Sequence, residues 1–356
     1  MSDNSRVAVN PLRNVVTRIF TAAGLSEEGA ATTADHLVQA ELRGVSSHGV
    51  SRTAVYVERV RSGLVDPRPT MRTEAETPVS ARLDGGNGPG IVVARAAMET
   101  AIDKAKASGM GAVAVHRSNH CGMLAYYTSA AADRGLIALA TTSAPPTMAP
   151  WGAAAPFFGT NPLSYAVPVA GERPNIVFDM ATSTVARGKI ILADKKGEPI
   201  PIGWALDASG SPTQDPAAGV QGTMLPLGGA KGSGLALLVD ILSGVLSGAN
   251  YGPHIPPLYD NPHTEQDVGH FFLAMNPDLF TAPGEFADRM AGVAEEVTAL
   301  RPATDHSRVY LPGEPEAVRA AENLEAGLDL APEVRAEIAA TADALDVSIP
   351  DLAYLV

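Results

Sequence analysis

Between Glu41 and Arg52 the chain reads Glu-Leu-Arg-Gly-Val-Ser-Ser-His-Gly-Val-Ser-Arg. A hydroxyl (Ser47), an imidazole (His48) and a guanidinium (Arg52) fall within one short run flanked by Gly44 and Gly49. Val50, Ala54, Val57 and Val60 recur at helical spacing, Ser46 is a natural N-cap and Gly63 a natural stop. The spacing predicts a helix from Ser46, with Ser47 and His48 in its first turn and Arg52 one turn on, beside His48 at i,i+4. Such a site presents a proton donor and a fixed cation together. A 2-oxo acid needs both, the donor at its carbonyl oxygen and the cation at its carboxylate. The plainer alternative is a helix start with a solvent-exposed His and Arg.

Three further positions could carry chemistry. His120 lies in His116-Arg-Ser-Asn-His-Cys-Gly122, between the apolar strand Gly111–Val115 and a helix over about 123–134. The carboxyl end of a strand is where sites are commonly built, so His120 could exchange a proton there, or be a structural His bonded to backbone. Its neighbour Cys121 reads as a small buried hydrophobe rather than a nucleophile. Asp179 interrupts the apolar strand in Asn175-Ile-Val-Phe-Asp-Met-Ala-Thr-Ser183 and is costly to bury unless paired with a catalytic His or bonded to amides. Lys231 sits in Leu225-Pro-Leu-Gly-Gly-Ala-Lys-Gly-Ser-Gly234. This is not a Walker loop, but free amides at a Gly-rich helix start plus Lys231 could hold a phosphate; a close helix crossing is the alternative. Asp84-Gly-Gly-Asn-Gly-Pro-Gly90 fails the Rossmann spacing, since the third glycine would fall at Ile91.

The elements that must position these groups follow from periodicity. Asn10 caps a first helix with Pro11 at its start and a stripe of Leu12, Val15, Val16, Ile19 and Phe20 ending at Gly24. Ser26 caps a second, which delivers the chain to Glu41. Residues 64–78, rich in Pro and charge, read as a linker. Strands are predicted at 79–83, 111–115, 136–142, 163–167, 175–183 and 268–275, with a helix over 91–107 and an apolar one from the Gly-rich run to Leu246. Three helices close the chain, at about 284–300, 314–326 and 332–345. The 356 residues are 46% hydrophobic and 18% charged, as in a globular enzyme. A net charge of −13 argues against nucleic acid and anionic membrane as partners. A single cysteine rules out an intrachain disulfide, and the N-terminus lacks the apolar core of a signal peptide; a cytoplasmic protein is expected.

Six segments together resemble the type 2 malate/L-lactate dehydrogenase family: Arg43-Gly-Val-Ser-Ser-His-Gly-Val-Ser-Arg52, Ser118-Asn-His-Cys-Gly122, Gly159-Thr-Asn-Pro162, Phe178-Asp-Met-Ala181, Gly203-Trp-Ala205 and Gly228-Gly-Ala-Lys-Gly-Ser-Gly234. The resemblance implies an α/β fold with a non-Rossmann NAD(P)-binding domain on a largely antiparallel sheet, over residues 79–283. It also implies a smaller helical domain from both chain ends, residues 1–78 with 284–356, and a homodimer. On it, His48 is the proton donor with Ser47 beside it, and Asp179 has a supporting role. Ureidoglycolate-type members use the match to His120 as acid–base group and the match to Arg52 for substrate. Cofactor contacts fall on Ser143, Thr160, Asn161, Asp179, Met180, Ala181 and Lys231, and on Gly313 and Glu314 of a late segment where Pro315 stands in place of an Arg.

The reading is therefore an oxidoreductase that uses NAD or NADP and passes hydride between nicotinamide C4 and C2 of a small 2-hydroxy or 2-oxo acid. One positioned acid beside the carbonyl suffices and no metal is required. The same pocket could reduce a cyclic C=N bearing a carboxylate. A Ser-His hydrolase using Ser47 and His48 is the competitor from another class. Adjacent residues on a helix rarely reach nucleophile–base geometry, and no G-x-S-x-G elbow is present.

Overall fold

In chain order the elements are β1 (Arg6–Val7), α1 (Val9–Ala22), α2 (Glu27–Leu42), α3 (Thr53–Arg61), β2 (Arg72–Thr77), β3 (Ser80–Asp84), α4 (Gly90–Ser108), β4 (Met110–Ser118), α5 (Ala125–Ala132), β5 (Ile137–Thr142), β6 (Leu163–Val167), β7 (Ile176–Met180), α6 (Arg187–Lys196), β8 (Ala205–Leu206), α7 (Pro216–Gln221), β9 (Thr223–Met224), α8 (Ala230–Asp240), β10 (Val268–Met275), α9 (Glu285–Thr298), α10 (Glu314–Ala326), β11 (Leu328–Asp329) and α11 (Pro332–Asp343). The structure, a computed structural model, describes residues 6–259, 261 and 263–349. The residues read above for a signal segment lie largely outside these.

Seven strands form one sheet in the order β2-β3-β4-β10-β5-β6-β7. Every neighbouring pair is antiparallel except β3 and β4, which α4 connects in parallel. This is the largely antiparallel, non-Rossmann sheet that the family resemblance implied. β4 and β10 are central; their inward residues Val113, Val115, Phe272 and Ala274 pack with Val93, Ala97, Met98 and Ile102 of α4 and Tyr127 of α5. A second core joins both chain ends: Leu12, Val16, Ile19 and Phe20 of α1, Leu37 and Val38 of α2, Val57 of α3 and Ile338 of α11. β1 and β11 stitch the same two ends together. α9 instead packs its Ala294 beside Val169, Ile176 and Leu311 at the β7 edge of the sheet.

Several local expectations are corrected. The first helix begins at Val9 after Ala8, and Asn10 lies inside it, accepting from Arg13 Nη1 at 2.8 Å. The supposed linker contains β2, an edge strand with all six residues exposed. With no buried face it has no alternation to read, and its charges suit an edge. The turn-rich stretch after residue 195 contains α7 and the β8–β9 pair. Arg187 and Lys189 fall in the first turn of α6, and α8 continues into a π-helical turn at Ile241–Val245.

Candidate active site

The run after α2 is not a helix start. Ser46–His48 and Val50–Arg52 are two separate 3₁₀ turns, and α3 begins only at Thr53. Gly49 separates them in an extended conformation. Buried Glu41 causes the break: its Oε1 accepts from Val50 N at 2.9 Å, and any Cβ on Gly49 would collide with that carboxylate. Burial pushes the Glu41 carboxyl up from its ordinary value.

The break changes which groups meet. Ser47 Oγ lies 2.9 Å from His48 Nδ1, a contact not expected of sequence neighbours on an α-helix. Arg52 folds back over the turn, its Nε donating to Ser47 O at 2.6 Å and its guanidinium 5.5 Å from the centre of the Tyr259 ring. Arg52 is thus beside His48 as expected, but through two tight turns rather than an i,i+4 pair. It bridges to neither Glu41 nor Asp179 among the described ion pairs.

His120 arrives from the loop after β4. Its ring stacks on His48, centroids 5.7 Å apart with planes inclined by 22°. Its Nδ1 lies 2.6 Å from the hydroxyl of Tyr56 on α3, so its partner is a side chain rather than backbone. Burial pushes the Tyr56 phenol up, which keeps that hydroxyl protonated. Burial, then the charge of Arg52, lowers His48 to about 4. Burial, then His48 and Arg52, hold His120 well below the ordinary imidazole range. Both rings are neutral at neutral pH. Each has its Nδ1 on a hydroxyl, and neither Nε2 has a hydrogen-bond partner among the described residues. Sequence reading overlooked Tyr56, although it sits one turn beyond Arg52 on the face turned to the site.

His48 opens onto a cleft of about 610 Å³ that also takes in Ser47, Thr160, Asp179, Met180, Ala181 and Gly313. Asp179, on β7, accepts from Ala125 N at 2.7 Å, at the start of α5. Enclosure raises its carboxyl to about 6, against the pull of the Ala125 and Leu124 amides and of Arg43. The side chain is nonetheless exposed to the cleft, which tempers that rise. No described hydrogen bond joins Asp179 to a histidine.

The remaining expected residues are placed elsewhere. Asn161 is fully buried and works as a bolt: it accepts from Ala144 N at 3.2 Å and donates to Ala236 O at 3.1 Å and Asp240 Oδ1 at 3.3 Å. Ser143 is buried at the end of β5 with no partner for its Oγ. Lys231 is exposed in the first turn of α8, outside the cleft lining. Glu314 pairs with Arg308 and accepts from Leu311 N at 3.2 Å. Pro315 lines the cleft. Arg43, which the sequence reading did not single out, lines it too. Among the described residues no group of three or more His, Cys, Asp or Glu side chains could hold a metal ion, and no helix is long and apolar enough to cross a membrane.

Known proteins share this fold. A malate dehydrogenase of Pyrococcus abyssi is 40% identical over 317 residues, covering 87% of this chain and 86% of its own. A ureidoglycolate dehydrogenase (NAD(+)) of Escherichia coli O157:H7 is 34% identical, covering 92% and 93%. The solved structure of sulfolactate dehydrogenase from Methanocaldococcus jannaschii superposes with a TM-score of 0.91 at 34% identity, covering 97% of this chain and 99% of that one. The profile of the family described as malate/L-lactate dehydrogenase matches residues 7–339. With profile, overall sequence and fold in agreement over nearly the whole chain, the chain belongs to the malate/L-lactate dehydrogenase family.

Proposed function

We propose that this dehydrogenase interconverts a small 2-hydroxy acid and its 2-oxo acid with NAD or NADP, using His48 as the group that gives and takes the proton on the C2 oxygen. The observation that carries this is the meeting of Ser47, His48 and Arg52 on one pair of turns, with Ser47 and His48 lining the 610 Å³ cleft. NAD or NADP, when bound, supplies or receives the hydride. The cleft fits such a group: its volume of about 610 Å³ is within the ~300–1,000 Å³ of small-molecule sites, and its lining combines apolar Val45, Met123 and Leu124 with a few polar groups, Ser47, His48, Thr160 and Asp179.

Ser47 fixes the His48 ring through Nδ1, leaving Nε2 to face the substrate oxygen. Arg52 receives the substrate carboxylate, a planar partner for its fork of donors. This has a second effect. Arg52 is one of the two causes that lower His48, so a carboxylate that offsets its charge raises the basicity of His48 on substrate binding. Asp179, across the cleft, adds negative charge that favours a protonated imidazole during the reaction. His120, fixed by Tyr56, supports the His48 ring from behind.

We further propose a homodimer. α8 and its π-helical continuation leave Leu237, Leu238, Ile241, Val245 and Leu246 exposed, with Trp151 near their start, an apolar face of the kind that marks a subunit contact. A cytoplasmic location, with its pool of dinucleotide and small acids, suits the lone buried thiol of Cys121. The test is a panel of 2-oxo acids, their methyl esters and cyclic 2-imino acids with NADH and NADPH, followed at the nicotinamide absorbance. Turnover of free 2-oxo acids is expected. Turnover of cyclic imino acids alone would replace this reading with C=N reduction.

A further inference from the structure

Beside the His120 ring lies a small cavity that shares no lining residue with the cleft. It offers about 30 Å³, room for about two water molecules. Much of its wall is apolar, with Phe20, Val60 and Ile91 among the lining residues. Into this setting α3 brings Tyr56 and, one turn on, Arg59. Asn119 and His120 border it from the loop after β4, and Leu258 from the loop before β10.

Arg59 is only 4% exposed, yet its charge is unpaired. Nη1 donates to Leu258 O at 3.3 Å, while Nε and Nη2 are buried with no partner. Among the described residues no Asp or Glu lines the cavity, and Arg59 closes no ion pair within 4 Å. Glu58, the one carboxylate whose charge is felt at Arg59, is exposed. An arginine does not shed its proton as a buried lysine can, so a cation stands here without a counter-charge, a costly arrangement. The orphan atoms are specific. Nε–H and one N–H of Nη2 point the same way along one edge of the planar guanidinium, the edge that meets the two oxygens of a carboxylate. Asn119 leaves an orphan of the opposite kind. Its Nδ2 donates to Asn87 O, Asn87 Oδ1 and Gly88 O, which fixes the amide, and its Oδ1 is buried with no donor. The unmet groups call for two acceptor oxygens side by side, one negative charge and one O–H, in the space of about two waters. Hydrogencarbonate carries all of these, and formate carries the first two.

We propose that Arg59 holds a small planar oxyanion of the hydrogencarbonate or formate kind, bound beside His120 but apart from the substrate cleft. A free anion fits better than the far end of a substrate. The cavity and the cleft share no lining residue, and the stacked rings separate them, His48 lining one and His120 the other. The site still adjoins the chemistry on two sides. One is the His120 ring with its Tyr56 partner. The other is Leu258, which accepts from Arg59 and whose neighbour Tyr259 lies against Arg52. The assignment stands independently of the NAD(P) reading above.

The test follows the formate proton by saturation-transfer NMR, and the melting temperature by scanning calorimetry, on the intact protein in chloride-free HEPES near neutral pH. Wild type should transfer saturation to formate, and should melt higher, saturably, as formate or hydrogencarbonate is added, as a ligand of the native state requires. Hydrogencarbonate should displace formate. Arg59→Met should weaken formate by about thirtyfold or more, as loss of a buried, forked charge contact does. With neither anion present it should melt no lower than wild type, since it removes an unpaired buried charge. Arg59→Gln, neutral but polar, should lose formate too and covers the case of a misfolded Met variant. Arg52→Met should keep the formate signal. A dicarboxylic 2-oxo acid, whose far carboxylate is the other source of such a group, should not displace formate. The proposal is overturned if wild type shows neither signal nor stabilisation, water alone then filling the cavity. Signal retained in both Arg59 variants, an adventitious ion only, overturns it as well. So does signal lost in Arg52→Met or displaced by the dicarboxylic acid, which would make the anion part of the substrate. None of these outcomes bears on turnover of 2-oxo acids by the wild type, which upholds or removes the dehydrogenase reading separately.

Discussion

His36 and His270 are fully buried, whereas His48 lines the cleft with His120 stacked on it, and the contrast between the pairs separates structure from function. All four are neutral and pushed below the ordinary imidazole range chiefly by burial. They differ in where the ring nitrogens go. His270 has Nδ1 on Thr142 Oγ1 at 2.8 Å and Nε2 on Ser118 Oγ at 2.9 Å, so nothing is left to offer a ligand. His36 spends Nε2 on the backbone of Met123 and is sealed from solvent. In His48 and His120 one nitrogen is held by a hydroxyl and the other is unpartnered; His36 also leaves Nδ1 unpartnered, but sealed in the core. A perturbed pKa therefore does not single out the site; a ring with a free nitrogen that lines the cleft, as His48 does, singles it out.

The largest effect that would sharpen this contrast is at Arg52. If the cleft pair acts on a carboxylate held by Arg52, Arg52→Met should lose on the order of 2–5 kcal/mol in kcat/KM for free acids, and much less for their methyl esters. Equal losses for acid and ester, with a lowered Tm, would reduce Arg52 to a brace for the Ser46–Arg52 turns.

The rear pair should appear in stability instead. Burial holds His36 and His270 at about 3, against 6.5 for a free imidazole. Below pH 6.5 the unfolded chain takes up protons that the folded chain refuses. The stability these rings contribute is thus present above pH 6.5 and is lost as pH falls from there towards 3. Each should cost roughly 2 kcal/mol at pH 5, partly offset by Asp179, whose raised carboxyl binds its proton more readily in the folded state. Urea unfolding at pH 7 and pH 5 checks this. His270→Gln should be less stable at pH 7 but lose less on acidification, and should turn over substrate near the wild-type rate.

The smallest expected effect is at Tyr56. Tyr56→Phe removes one hydrogen bond to His120, so kcat should fall by up to about tenfold, with an altered pH profile and little change in Tm. An unchanged profile would leave the Tyr56–His120 contact a packing detail.

Much of the fold was legible before the structure. Sheet strands with a buried face, such as Leu163–Val167, announce themselves by composition; β2 had no buried face and was read as linker. The site was legible as residue types, not as geometry. Helical spacing after Val50 suggested one continuous helix. The decisive residue, Glu41, precedes that pattern and breaks it by bonding Val50 N from outside. The same long-range dependence hid Tyr56 and Arg59, whose surroundings come from elements far along the chain: the loop after β4 and the loop at Leu258. Asn161 shows the reverse, a motif residue whose side chain is consumed in holding α8.

The most direct test of the account is single-turnover mixing of NADH-loaded enzyme with a 2-oxo acid, comparing wild type, His48→Ala and His120→Ala. The account predicts a fall of the order of 10²–10⁴-fold for His48→Ala with NADH affinity nearly intact, and a smaller loss for His120→Ala. Abolished turnover in His120→Ala, with His48→Ala close to wild type, would contradict it and move the proton to the Tyr56–His120 pair.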